Sequence, residues 1–178
     1  MDTISLHTND LRICAKQLKA GQRVLLSGTV YTARDAAHKR LSEMIQSGLI
    51  LPFPLKDACI YYAGPTPAPV GMVIGSCGPT TSGRMDSYTP LLLENGLVGM
   101  IGKGERNETV INAIKQFGAV YFCAIGGAGA LAAKCVTACE EIAFKDLGCE
   151  SIKRLSVNEF PLFVGMDSHG GNLFQRNI

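Results

Sequence analysis

The sequence predicts an α/β protein, a mostly parallel sheet flanked by helices. The leading observation is an alternation of strand, glycine turn and helix that recurs three times from Met72 onward: GMVIGS then GPTTSGRMDSYTPLLLENG, LVGMIG then KGERNETVINAIKQFG, and AVYFCAI then GGAGALAAKCVTACEEIAFKDLG. The second is composition. Of 178 residues, 47% are hydrophobic and 18% charged, the balance of a well-packed domain rather than a disordered chain. One domain over 1–178 is expected.

The elements follow in order. Asn9 and Asp10 are placed to cap a helix over LRICAKQLKA that Gly21 ends, and the β-branched and aromatic run QRVLLSGTVYT reads as a strand. A second helix, RDAAHKRLSEMIQSG, sets Ala37, Leu41, Met44 and Ile45 at helical spacing and stops at Gly48. ACIYYAG and VGMVIGS read as strands on either side of PTPAP, whose prolines cannot donate to a ladder. After the three repeated units, SIKRLSV and PLFVGMD are expected as closing strands and HGGN as a turn.

Several functions are excluded by charge and pattern. Lys and Arg total 17 against 15 Asp and Glu, and no basic run exceeds His38-Lys39-Arg40, so nothing offers a stripe for a nucleic-acid backbone. The uncharged stretch 117–133 is broken by Gly126, Gly127 and Gly129 and reads as core rather than a membrane span. MDTISLHTND has no basic region leading into an apolar one, which makes the cytoplasm the default location. Seven cysteines without a CxxC pair fit buried free thiols in a reducing compartment.

In a parallel sheet, ligand-binding side chains gather in the loops after the carboxyl ends of the strands. Gly78-Pro79-Thr80-Thr81-Ser82-Gly83-Arg84 is expected to open a helix with three hydroxyls and an arginine, an anion site for a carboxylate or phosphate. The plain alternative is capping by the hydroxyls with Arg84 solvated, yet one hydroxyl suffices for a cap. In Gly102-Lys103-Gly104, Lys103 can point its ammonium above the sheet; without a following Ser or Thr this is not a Walker P-loop. Gly127-Ala128-Gly129-Ala130-Leu131-Ala132 matches GxGxxA, but no acid ends the next strand at the expected distance, and close packing explains the glycines better.

Arg34 stands in the first turn of the second helix, where a cation opposes the helix dipole by about 0.3–1 kcal/mol. His38, four residues on, lies on the same side, so that both can face one ligand; a partly buried histidine at the edge of the apolar stripe is the even alternative. Cys135 and Cys139 fall at helical i, i+4 spacing with no further ligand nearby, which favours buried small residues over a metal pair.

TARDAAHKRL, YYAGP, GPTTSGRMDSYTP, GKGER and the IGGAGA turn, in this order, closely resemble the β subunit of class I iron–sulfur hydro-lyases, the fumarases and tartrate dehydratases, which is also the C-terminal domain of their single-chain forms. The resemblance runs from about residue 8 to the HGGN turn. It implies a swivelling β/β/α domain that closes over a site shared with an α subunit, whose three cysteines hold a 4Fe-4S cluster with one open iron. It also implies that Arg34, Thr80, Arg84 and Lys103 contact the substrate and that His38, with Thr80, Arg84 and Lys103, is catalytic. Hydration of fumarate to (S)-malate is the expected reaction, the spelling TARD, TTSGRMDS and KGER being closer to the fumarase branch; tartrate or mesaconate hydration are alternatives. A chain that starts at methionine without a cluster-binding domain fits a split enzyme, a heterodimer or a dimer of heterodimers. From another class, a standalone anion- or nucleotide-binding module centred on GAGALA remains open.

Overall fold

A computed structural model describes residues 3–175. Its strands are β1 (Thr3–His7), β2 (Arg23–Thr32), β3 (Cys59–Tyr61), β4 (Gly99–Gly102), β5 (Val120–Cys123), β6 (Val136–Ala143) and β7 (Ile152–Met166); its helices are α1 (Leu11–Cys14), α2 (Asp35–Gln46), α3 (Thr89–Glu94), α4 (Glu108–Phe117) and α5 (Gly129–Lys134). The sheet order is β1-β2-β3-β4-β5-β7-β6, and β2 also pairs with β7, which closes β2, β3, β4, β5 and β7 into a ring. The pairs from β1 through β5 are parallel. Those that β7 makes with β2, β5 and β6 are antiparallel. The sheet is therefore more mixed than expected.

Strand alternation sorts the apolar residues into two cores, one on each face of the sheet. Cys59, Tyr61, Val98, Ile101, Val120 and Phe122 join Val24, Leu26, Leu155 and Leu162 on one face. Ile60, Tyr62, Met100 and Tyr121 turn the other way and meet Ala37 and Leu41 of α2, Leu92 and Leu93 of α3, and Val110 and Ile114 of α4. Helix α4 shows why such segments form where they do: Asn107 caps it by accepting from the Val110 N–H, and Gly118 ends it in the left-handed conformation at φ 63°.

Five elements depart from expectation. The first helix is only Leu11–Cys14, and a strand, β1, precedes it. VGMVIGS is an irregular loop with Val70, Met72 and Val73 exposed, because the segment pairs with no neighbouring strand. The GPTTSGR segment leads into a 3-10 turn, Ser82–Met85, before α3, so no helix dipole stands behind Thr80. The long helix from GGAGALAAK stops at Lys134, and Val136–Ala143 becomes a strand that pairs along the free edge of β7, so Cys135 and Cys139 do not share a helix. SIKRLSV and PLFVGMD are one strand, bent at Glu159 with φ 49° opposite the register shift between Leu26 and Gly28.

No helix among the described residues is long and apolar enough to cross a membrane.

Candidate functional site

The carboxyl ends of β2, β3, β4 and β5 bring TARD, YYAGP, GKGER and the GGAGA turn to one edge, and the GPTTSGR segment crosses over them. Its backbone is stitched on both sides. The Thr80 N–H donates to the Tyr62 carbonyl at 2.6 Å, the Lys103 N–H to the Thr80 carbonyl at 3.2 Å, and the Ser82 N–H to the Lys103 carbonyl at 2.8 Å. Gly102 permits this approach, since a Cβ there would stand 2.0 Å from Ser82 Oγ and 2.8 Å from Tyr62 Cδ2. Thr80 and Lys103 are thus fixed side by side as backbone, while the Lys103 side chain is exposed. It runs beside the 126 turn, its Cδ 3.5 Å from where a Gly126 Cβ would be.

Two arginines complete a cationic edge. Arg34 is the N-cap of α2 rather than a member of its first turn, and it makes no side-chain cap. Its side chain lies over Gly64, with Nη1 2.8 Å from the position of a Cβ there. Arg84, half exposed, reaches back to Asp35 with Nε 2.8 Å from Oδ1 and Nη2 2.8 Å from Oδ2. Arg34 Nε stands 4.0 Å from the same Oδ2, and Arg34 Nη2 lies 3.5 Å from Glu150 Oε1. Neither arginine is simply solvated. Thr81, which precedes the 3-10 turn, caps nothing with its side chain.

Beneath this edge is a buried polar clamp. Arg106 donates from Nε to Asp86 Oδ1 at 2.6 Å and from Nη2 to Thr89 Oγ1 at 2.7 Å. Its guanidinium sits 5.4 Å from the Tyr62 ring centre and 5.1 Å from that of Tyr121. Asp86 Oδ2 accepts the Asn107 N–H at 2.7 Å, and Tyr121 Oη donates to the Gly104 carbonyl at 2.8 Å with Ser82 Oγ 2.9 Å away. Burial works against the charge on Arg106, but Tyr62 and Asp86 outweigh it, so its pKa rises. The clamp ties the segment carrying Thr80 and Arg84 to the loop carrying Lys103.

His38 goes elsewhere. It is wholly buried, its ring edge-on to Tyr62 at 5.2 Å, and Nδ1 lies 2.9 Å from the Arg34 carbonyl. With a carbonyl as partner, Nδ1 carries the proton; Nε2 is buried without a partner. Burial, with Arg106 adding to it, lowers the imidazole pKa to about 4, which keeps it neutral at physiological pH. Arg34 and His38 therefore do not face one ligand in this conformation: the guanidinium lies over Gly64 and the imidazole enters the core.

Asp35, Glu150 and Arg106 are the site residues that sequence reasoning missed. Asp35 and Arg106 stood inside quoted motifs, TARD and KGER, and an acid beside Arg34 was the available signal. Nothing local marks Glu150.

Among the described residues no three His, Cys, Asp or Glu side chains gather to hold a metal. Burial pushes the Cys77 thiol up to about 12, away from the thiolate that metal binding needs. The described residues gather no set that fits an iron–sulfur cluster; the open edge offers cations and a hydroxyl. A hollow of about 340 Å3 bounded by Pro65, Ile74, Cys139 and Lys153 lies apart from that edge and is lined by none of Arg34, Thr80, Arg84 or Lys103.

An α/β domain that closes part of its sheet into a ring and collects its glycine-rich loops on one edge is the class of protein that fold and site define. The chain belongs to the family described as Fumarase C-terminus, whose model matches residues 1–177. It is 42% identical over 164 residues to the anaerobic class I fumarate hydratase of Escherichia coli (strain K12), an alignment covering 91% of this chain and 30% of that protein. Fumarate hydratase 2 of Leishmania major is 40% identical over 164 residues, 91% of this chain and 29% of that protein. A protein provisionally named L(+)-tartrate dehydratase subunit beta, from Methanocaldococcus jannaschii, is 40% identical over 166 residues, 90% of this chain and 85% of that one. The chain spans about 30% of the length of the fumarate hydratases it matches.

Proposed function

We propose that this chain is the β-subunit half of a class I fumarate hydratase, interconverting fumarate and (S)-malate at a site completed by an α subunit. The observation that carries the reading is the placement of Arg34, Arg84 and Lys103 on one open edge beside Thr80. Fumarate brings two carboxylates, and its hydration passes through a carbanion that is stabilised as an enediolate when cations meet the adjoining carboxylate. Arg84 grips that carboxylate with its fork and Arg34 adds a second guanidinium. The Lys103 ammonium, exposed on its glycine-flanked loop, comes up against the developing charge as the domain swivels closed.

Thr80 presents a hydroxyl to the reacting carbon, and because a threonine is a weak acid and base alone, its proton is relayed by a group from the partner. His38, neutral and buried, acts through the Arg34 carbonyl it holds rather than on substrate. A 4Fe-4S cluster borne by the α subunit supplies a Lewis acid to the substrate. The assembly works in the cytoplasm, without nucleic acid or membrane. L(+)-tartrate is the second reading, favoured by the 85% coverage of the tartrate dehydratase subunit at 40% identity.

Anaerobic reconstitution tests this. The chain alone should be colourless and inactive, and it should gain fumarate hydration when a cluster-loaded α subunit is added; turnover of L(+)-tartrate but not fumarate would select the second reading. Robust hydratase activity from this chain alone after iron removal would contradict the proposal. Saturable NADH binding by the isolated chain would instead favour the nucleotide-binding module.

A further inference from the structure

We infer that Asp35 is the positioning residue of the cationic edge, orienting Arg84 and spacing it from Arg34 so that a dicarboxylate meets a fixed guanidinium. The inference rests on the hydro-lyase reading above and names a residue that reading does not use.

Three observations converge on Asp35. Its carboxylate takes Arg84 side-on, with Oδ1 2.8 Å from Nε and Oδ2 2.8 Å from Nη2. A guanidinium has five N–H donors, and this contact donates Nε–H to Oδ1, while Oδ2, buried and without a hydrogen bond, stands against Nη2 as an ion-pair contact. The hydrogens of Nη1 and Nη2 remain, and they form the end-on edge, itself a bidentate match for a carboxylate. Asp35 thus leaves the useful edge of Arg84 free and aims it.

The second observation concerns Arg34. Its Nε is buried without an acceptor and stands 4.0 Å from Asp35 Oδ2. On the far side, Arg34 Nη2 lies 3.5 Å from Glu150 Oε1, while Glu150 Oε2 accepts the Ala36 N–H at 3.1 Å. Charges therefore alternate along the edge: Glu150, Arg34, Asp35, Arg84. Without the middle carboxylate two guanidiniums would face one another unscreened, and each would lose its preferred orientation.

The third is what the contact does not do. The Arg84 side chain is 50% exposed and that of Asp35 32%, a setting in which an ion pair contributes little to folding. Stability does not explain the pair here. Orientation does, because a guanidinium already fixed loses less freedom when it takes a ligand.

The test is Asp35→Asn in the assembled enzyme, with Asp35→Glu beside it. Loss of a group that orients a ligand-contacting residue typically costs about 10- to 100-fold in activity. That loss is expected in kcat for Asp35→Asn, with KM for fumarate unchanged or lower, since the edge gains one positive charge. Asp35→Glu should recover part of the kcat because the charge returns on a longer arm. In the isolated chain, NMR should show a protected Arg84 Nε–H in the wild type that becomes exchange-broadened in Asp35→Asn, with the melt unmoved. Wild-type kcat in an active Asp35→Asn complex, or an Arg84 Nε–H indifferent to the substitution, overturns the inference and leaves the hydro-lyase reading standing. A reconstituted wild-type complex that hydrates neither fumarate nor L(+)-tartrate overturns that reading and this inference with it, whatever the NMR of Arg84 shows.

Discussion

Two arginine–aspartate pairs start from neighbouring positions, Arg84 and Asp86, each reaching a distant partner, and burial separates their roles. Arg106 and Asp86 have side-chain exposures of 0% and 7%, whereas Arg84 and Asp35 have 50% and 32%. The buried pair has every neighbour committed: Thr89, the Asn107 N–H and two tyrosine faces leave it no donor to lend. The exposed pair keeps the end-on edge of Arg84 for solvent or ligand. One pair holds the loops in register, and the other presents a cation from the loop so held.

That contrast breaks most visibly at Arg106. Arg106→Met strands the Asp86 carboxylate in a buried site, and removing one partner of such a pair costs about 3–5 kcal/mol; denaturant unfolding of the isolated chain should show it. Arg106→Met combined with Asp86→Leu should regain most of the loss, because no uncompensated charge remains. A single variant as stable as wild type would mean that the clamp relaxes into solvent.

Lys103→Ala probes the exposed side. Removing one positioned donor to a developing negative charge lowers kcat/KM by about two to three orders of magnitude, and loss of an exposed turn side chain should leave the melt within about half a kcal/mol. Steady-state kinetics in both directions, run beside a thermal melt, check the two halves together. Full activity would place Lys103 among solvated residues.

His38 ties the stability of the core to pH. Its pKa falls from 6.5 to about 4 in the folded chain because burial disfavours the imidazolium. As pH drops below 6.5 the unfolded chain binds a proton that the folded chain refuses until about pH 4, so stability declines across that window and levels off beneath it. At about 1.4 kcal/mol per unit the total approaches roughly 3 kcal/mol. Unfolding free energies from pH 7 to pH 4 should show this slope in the wild type and its loss in His38→Gln; equal slopes would place the imidazole in contact with water.

How far the sequence could be read follows the range of the interactions. Strands β2, β4 and β5 and helices α2 and α4 were legible because their signals are local: β-branched runs, helical spacing, Asn107 before α4 and Gly118 after it. Strand β6 was not, since Val136–Ala143 continues an alanine-rich helix in sequence and becomes a strand only by pairing along β7. Arg34, Thr80, Arg84 and Lys103 were legible as cations and a hydroxyl at strand ends. Their supports were not: Asp35 meets Arg84 across 49 residues, and Arg106 is buried by Tyr62, just past β3, and by Tyr121 of β5. His38 looked available because helical spacing says which side a residue takes and not what packs upon it.

On the proposed function, the open edge, and Arg84 above all, carries the chemistry while the buried pair holds it in place. Arg84→Lys in the reconstituted enzyme tests it most directly, because lysine keeps the charge and loses the fork. The expected result is a fall in kcat/KM of about a hundredfold or more, with the melt of the isolated chain unchanged. Wild-type kcat and KM from that variant would contradict the claim and leave Arg84 an ordinary surface residue.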